Sequence, residues 1–241
     1  NYDWWDVLPG DTSATLWDNT KFAPLKDLIQ VKNPDCGFVF NTNNTPLLST
    51  GKDCQPAYND FPTSKYYFRF NNNRSLRMFD LLSSQDTFSY EDFKRIKYDQ
   101  SYRTPLYTFA MANIEDIFTL SPEKYPEISD VLKILKEWDR DSDIHSNGAT
   151  ITTLFSGMFI KDYFTKNGMP TKEVFLSEED FVNYLVKTRK YLIKYFDTVK
   201  VPLGDFQKLV RGENELPVSG ISDVIATMNC KPYKDGMYQA E

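Results

Sequence analysis

One stretch governs the interpretation of this chain: Asn33-Pro-Asp-Cys-Gly-Phe-Val-Phe-Asn-Thr-Asn-Asn-Thr-Pro46. Its apolar run, residues 37–40, predicts a short buried strand that ends directly in three asparagines. Asparagine forms strands poorly, but its side-chain amide is a good neutral hydrogen-bond donor. Several amides at the end of a strand, with Pro46 fixing the turn behind them, suit the stabilisation of a developing oxyanion. The alternative is an Asn-rich turn that bonds its own backbone, and this segment alone favours the turn.

The composition describes an acidic chain that is long enough to form a large core. The 241 residues carry a net charge of −6, and 41% of them are hydrophobic. This length allows one large domain or two small ones. Lys and Arg form no block, so nucleic acid is not an expected partner. No apolar run approaches the roughly 18 residues that a bilayer span needs, so the membrane is not an expected partner either.

Both ends of the sequence look internal to a longer protein. The chain begins with the aromatic-rich segment Asn1-Tyr-Asp-Trp-Trp5 and shows no signal-peptide pattern. It stops at Glu241 without a terminating pattern. We therefore expect a fragment that is truncated at both ends.

Three cysteines and one histidine limit the available chemistry. Cys36 and Cys54 bracket the asparagines closely enough to form a disulfide bond, although two separate thiols are the favoured alternative. No pair of cysteines has zinc-binding spacing. His145 lies in a polar loop between predicted helices. Catalysis by histidine is therefore not expected.

The chain divides into residues 1–72, a mixed strand and loop segment carrying the asparagines, and residues 73–241, a helical region. A short strand is predicted over residues 66–70. Helix starts are recognised from capping residues and from apolar spacing at i, i+3 and i+4. Helices are predicted from Arg74 after a cap at residues 71–73, after Ser89, from Ser121 with an interruption at Pro126, over residues 149–164, after Ser177, and over residues 204–210 with a stop at Gly212. The fold class is therefore mainly α with a small β component.

Charged residues near the asparagines give weaker signals. Arg74 stands in the first turn of a predicted helix, where its planar guanidinium could orient the Asn43 amide or hold a substrate carbonyl or carboxylate. A surface ion pair is the alternative, and the residues alone favour it. Asp139, Asp141 and Asp143 lack the glycine and the closing glutamate of an EF-hand, which excludes that calcium loop.

Further motifs follow one another in a fixed order around and beyond the asparagines. They are Pro9-Gly-Asp11 with Trp17, Asn73-Arg-Ser-Leu-Arg-Met-Phe-Asp-Leu-Leu82, Leu135-Lys-Glu-Trp-Asp139, Ser146-Asn-Gly-Ala149, Leu203-Gly-Asp-Phe-Gln-Lys-Leu-Val-Arg-Gly212 and Leu216-Pro-Val-Ser-Gly220. With the asparagine segment, this set resembles the penicillin acylase family. Its members are N-terminal-nucleophile amidohydrolases and include acyl-homoserine-lactone acylases. The resemblance covers most of the chain.

The resemblance implies a mechanism and assigns two residues to it. A serine at the N-terminus of the mature β subunit would attack an amide carbonyl, with its own α-amino group as the base. Asn43 would be the oxyanion donor, and Arg74 would orient Asn43 and the substrate. Asn1 cannot serve as the nucleophile, so we expect an internal segment of the β subunit that is inactive by itself. Its fold would be the helical portion and a few strands of a larger αββα hydrolase.

The remaining expectations also come from the resemblance. The parent would be a hydrolase acting on linear amide C–N bonds of penicillins, acyl-homoserine lactones or other N-acyl compounds, with a link to antibiotic biosynthesis. Its partners would be the remaining α and β segments and an N-acyl small-molecule substrate, in the periplasm or outside the cell. Some members bind calcium, and Asp53 is the nearest candidate, but its spacing does not fit, so no cofactor is expected. The alternative function is a non-catalytic helical binding or interaction module.

Overall fold

The computed structural model describes residues 7–16, 22–62, 67, 71–106, 112–168 and 174–240. The strand predicted over residues 66–70 lies outside this range except for Tyr67, and so do Trp4, Trp5 and Trp17. Within the described part, the chain is mainly α-helical with a small β component, which confirms the predicted fold class. The division at residue 72 stays a prediction.

Six α-helices form the body of the described structure. They are α1 (Asn73–Leu82), α2 (Tyr90–Lys97), α3 (Ser129–Glu137), α4 (Asn147–Asn167), α5 (Glu178–Phe196) and α6 (Leu203–Phe206). The predicted starts of α2 and α5 are confirmed, because Ser89 and Ser177 each form a capping box with the aspartate three residues later. None of the described helices combines the length and apolar character that a bilayer span requires.

The strands form two small sheets in the described residues. In the first, β1 (Ala112–Asn113) pairs in parallel with β2 (Val174–Phe175). The second has the strand order β4-β3-β6-β5. Its members are β3 (Gln207–Arg211), β4 (Asn214–Pro217), β5 (Cys230–Pro232) and β6 (Tyr238–Ala240). Strand β3 is antiparallel to β4 and parallel to β6, so it is paired on both sides.

The helix predicted over residues 204–210 is wrong in its second half. Helix α6 ends at Phe206, and the next five residues form β3. Gly212, with φ +60°, lies in the turn between β3 and β4 and does not end a helix. The reason is that β3 is paired on both edges, and this tertiary pairing outweighs a short helical pattern.

Two further local predictions are wrong. Residues 37–40 do not form a buried strand, because only Val39 pairs, through a single antiparallel bridge to Thr50, and its side chain is 57% exposed. The segment from Ser121 forms turns instead of a helix. A 3-10 turn, Pro126–Ile128, then leads directly into α3. Pro126 is thus the first residue of a new element, a position where its missing N–H costs nothing.

The core lies where α4 packs against α3 and α5. Phe155 of α4 is fully buried, with its ring centroid 6.1 Å from that of Phe181 and 6.0 Å from that of Tyr184. Gly148, near the start of α4, leaves room for Trp138, because a Cβ there would lie 2.2 Å from the indole Cγ. The largely apolar helix predicted over residues 149–164 is thus confirmed as a buried one.

The same body anchors the loop that joins β4 to β5. The Gly220 N–H donates to the Ser142 carbonyl at 2.8 Å, and the Ala226 N–H donates to the Asp99 carbonyl at 2.8 Å. The buried Tyr102 hydroxyl donates to the carbonyl of Ser222. These contacts place Asp223, which lies between the anchored residues, beside the start of α1.

We predict that Phe155→Ala lowers the free energy of unfolding by about 3–5 kcal/mol, because it removes a fully buried ring from a packed aromatic cluster. Urea denaturation of both chains measures the change. The control is Phe175→Ala, whose side chain is 73% exposed and which should cost about 1 kcal/mol or less. Equal losses at the two positions would contradict the assignment of the core.

Candidate functional site

Two of the three asparagines hold the loop in shape. The Oδ1 atom of Asn41 accepts the Asn43 N–H at 2.8 Å. The Oδ1 atom of Asn44 accepts the Thr42 N–H at 2.8 Å, and its Nδ2 donates to the Leu48 carbonyl at 3.0 Å. Both amides are therefore used for turn formation, as in an Asn-rich turn that bonds its own backbone.

The side chain of Asn43 forms no hydrogen bond with the described residues of its own loop. Its backbone is left-handed, with φ +60°, a conformation that asparagine tolerates better than most residues. The residue is exposed, and its Oδ1 accepts a hydrogen bond from Arg74 Nη1 at 3.0 Å. Arginine can only donate, so this contact fixes which end of the amide faces Arg74. The other end, Nδ2, donates to no described residue and is available to an outside acceptor.

Arg74 is held in turn by a buried carboxylate. Its Nε donates to Asp223 Oδ1 at 3.3 Å, and the side chains of Arg74 and Asp223 are 23% and 7% exposed. The pair is thus mostly enclosed, unlike a surface ion pair. Asp223 Oδ2 also accepts the backbone N–H of Asn73, the first residue of α1, at 2.9 Å. This places a carboxylate at the positive end of the helix dipole.

The electrostatics of Asp223 reflect two opposing effects. Burial raises the pKa of its carboxyl group from 3.8 to about 6, while the Asn73 N–H and the charge of Arg74 act in the opposite direction. Carboxyl groups with a perturbed pKa are common at functional sites and also occur in structural ion-pair networks. The carboxyl is ionised at neutral pH and gains a proton as pH falls below about 6.

A second set of contacts fixes the loop and α1 to each other. Asn72, the N-cap of α1, donates from Nδ2 to the Thr42 carbonyl at 3.3 Å. Arg77, one turn further along α1, donates from Nε to Asp99 Oδ1 at 3.1 Å and from Nη2 to Asp99 Oδ2 at 2.6 Å. Bidentate pairs of this kind are rigid because the planar fork matches the carboxylate. The Arg74 side chain therefore extends from a fixed helix towards a fixed loop.

Asn43 and Arg74 line an open groove with a volume of ≈ 1140 Å³. Charged side chains such as Lys52, Asp53, Asp86 and Lys97 also line it. Much of the wall is apolar or aromatic, including Phe38, Phe40, Met78, Phe79, Leu82, Phe88, Phe93 and Ile225. Small-molecule sites commonly combine an apolar wall with a few fixed polar groups. Here the fixed polar groups are the Asn43 amide and the Arg74 guanidinium.

The structure brings together the two residues that the sequence selected and leaves the other candidates apart. His145 is exposed in its loop and does not line the groove. Asp53 lies in the groove wall, in the exposed 3-10 turn Lys52–Cys54. Among the described residues, no group of three or more His, Cys, Asp or Glu side chains could hold a metal ion.

Sequence reasoning missed Asp223. It lies 149 positions after Arg74, so no local spacing connects the two residues. The available signal was its place three residues after the motif that ends at Gly220. Its own backbone is left-handed, with φ +67°. That conformation turns the chain back towards α1.

The fold and the site define a mainly helical chain that presents an oriented amide donor in a groove. A model of the family described as penicillin amidase matches residues 3–209, which include Asn43 and Arg74. The chain belongs to the penicillin amidase family, a family of amide hydrolases. Asp223 lies beyond the matched residues.

We predict a pH dependence of stability that comes from Asp223. Since its folded pKa of about 6 lies above its ordinary value of 3.8, the folded state binds more protons between these values. The free energy of unfolding should therefore decrease as pH rises through this window, by roughly 3 kcal/mol at most. Asp223→Asn cannot ionise and should lose this component.

Urea denaturation of both chains between pH 4 and pH 7 checks this prediction across the window around the raised pKa of about 6. The difference in unfolding free energy, wild type minus Asp223→Asn, should fall as pH rises. Other titrating groups are common to both chains and cancel in the difference. A difference that stays constant over this range would show that Asp223 does not titrate there.

Proposed function

We propose that this chain supplies the oxyanion-stabilising part of an amide hydrolase of the penicillin acylase type. The observation that carries the proposal is the orientation of Asn43. Its Oδ1 is held by Arg74 Nη1 at 3.0 Å, and its Nδ2 has no described acceptor. Asn44, by contrast, uses both ends of its amide within the loop, and Asn41 holds the loop with its Oδ1.

This geometry suits the tetrahedral intermediate of amide hydrolysis. Attack on the carbonyl carbon leaves negative charge on the carbonyl oxygen, and a donor that is already oriented stabilises it without reorganisation. Arg74 polarises the Asn43 amide because its cation lies on the Oδ1 side. Asp223 holds Arg74 from behind through Nε at 3.3 Å. In this proposal Asn43 contacts the reacting oxygen, while Arg74 and Asp223 position it.

The nucleophile belongs to another part of the parent in this proposal. Asn1 offers no nucleophilic hydroxyl or thiol. A serine with a free α-amino group, lying upstream of Asn1, would attack the substrate, and the chain alone would be inactive. The partners would be the remaining α and β segments and an N-acyl small molecule, in a periplasmic or extracellular setting. No metal or cofactor takes part.

We predict that Asn43→Ala in the full-length processed enzyme lowers kcat by about a hundred- to a thousandfold, because it removes one oxyanion donor. Steady-state hydrolysis of an N-acyl substrate measures the loss. Asn43→Asp keeps the shape and should lose at least as much, since it replaces the donor with an anion. The matched control is Asn214→Ala, an exposed asparagine in β4, which should leave kcat unchanged.

Mass spectrometry of the mature subunit ends completes this test. Processing should expose a serine at the start of the β subunit, and Asn43→Ala should be processed like the wild type. Normal processing with unchanged turnover would contradict the role of Asn43. That result would favour a non-catalytic helical binding module in which all three asparagines serve only the turn.

We also predict that Arg74→Lys reduces turnover more than it reduces stability. Arg74 reaches Asn43 through Nη1 and Asp223 through Nε, and a lysine has one nitrogen with which to replace this fork. The charge beside Asp223 is kept, so the change in unfolding free energy should stay near 1 kcal/mol. The kcat should fall by about tenfold or more. A kcat that stays within twofold of the wild type would show that Arg74 does not position Asn43 for catalysis.

A further inference from the structure

The two cysteines that bracket the asparagine loop lie side by side in the fold. The backbone N–H of Cys36 donates to the Sγ of Cys54 at 3.2 Å. The 3-10 turn Lys52–Cys54 directs Cys54 back towards Cys36, with the Cys54 N–H donating to the Gly51 carbonyl at 2.9 Å. Both cysteines are reduced in this structure.

The surroundings of Cys36 are shaped around its sulfur atom. The Gly51 N–H donates to Cys36 Sγ at 3.3 Å, and the Thr50 hydroxyl oxygen lies 3.0 Å from the same sulfur. Gly51 must lack a side chain here, because a Cβ would lie 2.7 Å from the Cys36 Cβ. Thr50 is fully buried and is held by its hydrogen bond to the Phe38 carbonyl at 2.8 Å. The position of the sulfur is therefore fixed on several sides.

The two thiols differ in acidity. Burial opposes ionisation of Cys36, but its hydrogen-bond contacts with Thr50, Phe38, Cys54 and Gly51 outweigh it and lower the pKa of the Cys36 thiol to about 7. The backbone hydrogen bond from Cys36 lowers the pKa of the Cys54 thiol, but the effects of the Cys36 side chain and of burial are larger together and raise it. Cys36 is exposed, so its thiolate is accessible from solvent.

We propose that Cys36 and Cys54 form a disulfide bond that closes the segment carrying Asn43 into a ring. The oxidant is a disulfide, either a small molecule or a protein. The Cys36 thiolate attacks it and forms a mixed disulfide, and the first thiolate leaves. The Cys54 thiol then loses its proton and attacks Cys36 Sγ, and the second thiolate leaves. Two protein thiols give up two electrons and two protons, and one disulfide is reduced to two thiols.

The bond would fix both ends of residues 36–54 in the arrangement that they already have. A ring of this length reduces the conformational freedom of the unfolded segment. Residues 36–54 should therefore unfold locally less often once the disulfide bond has formed. This inference goes beyond the proposed function and does not depend on it. It concerns the chemistry of the two sulfurs, and amide hydrolysis need not be measured to test it.

The test treats the full chain with oxidised glutathione, blocks the remaining thiols with iodoacetamide, and maps tryptic peptides without reduction. Trypsin cleaves after Lys32, Lys52 and Lys65, so the bond links peptide 33–52 to peptide 53–65. We expect this linked pair, together with alkylated Cys230. Cleavage of the folded chain at Lys52 should also become about tenfold slower or more after oxidation.

Matched variants make the outcome decisive. Cys230→Ser should still give the linked pair and the slower cleavage, while Cys36→Ser and Cys54→Ser should give neither. Three results would each overturn the proposal. In the first, Cys36 and Cys54 are both alkylated after oxidation; in the second, either is linked to Cys230; in the third, they carry only glutathione adducts. Circular dichroism of each serine variant, compared with the wild type, shows that the lost link is not caused by unfolding.

Discussion

The site depends on one chain of hydrogen bonds that runs from the buried Asp223 through Arg74 to the exposed Asn43. The carboxylate lies at the N-terminus of α1, the arginine is the second residue of that helix, and the asparagine stands in the loop opposite. Breaking a pair that is partly buried leaves a charge without its partner, which costs more than the loss of an exposed pair. The rest of the fold can be understood as support for these three side chains.

The support comes from distant parts of the sequence. The packing of α3, α4 and α5 creates the body on which the loop between β4 and β5 is anchored, through Gly220, Ser222 and Ala226. That loop delivers Asp223, while Asn72 and Arg77 fix α1 to the asparagine loop and to Asp99. A side chain on such a framework keeps its direction, which is what an electrostatic site requires. The proposed disulfide between Cys36 and Cys54 would add a covalent constraint to the loop that carries Asn43.

Much of this arrangement could be predicted from the sequence, for identifiable reasons. The starts of α2 and α5 are encoded within four residues by their capping boxes, and the buried α4 is encoded by its continuous apolar character. The segment 207–211 was predicted wrongly because its state depends on pairing with the adjacent β4 and with β6, and β6 lies outside any local window. Val39 was predicted to be buried because its apolar neighbours resemble a strand, but the described residues pair it only with Thr50.

The site shows the same division between local and distant information. Asn43 and Arg74 were selected from motifs, but the motifs could not tell which asparagine holds the turn and which is available. In the described residues, Asn44 uses both ends of its amide in the loop and Asn41 uses its Oδ1, while the Asn43 side chain is bonded to Arg74. Asp223 was missed because its contact with Arg74 spans 149 residues. Arg74 does form an ion pair, but its partner Asp223 is buried, so the alternative of a simple surface ion pair is wrong.

The central claim is that Asp223 acts on catalysis only through Arg74 and Asn43. A double-mutant cycle on kcat/KM of the processed enzyme, combining Asn43→Ala with Asp223→Asn, measures it directly. If the claim holds, the double variant should be about as slow as Asn43→Ala alone, because Asp223 and Arg74 then have no Asn43 amide to position. Losses that multiply in the double variant would mean that the two residues act independently, and the account would then be wrong.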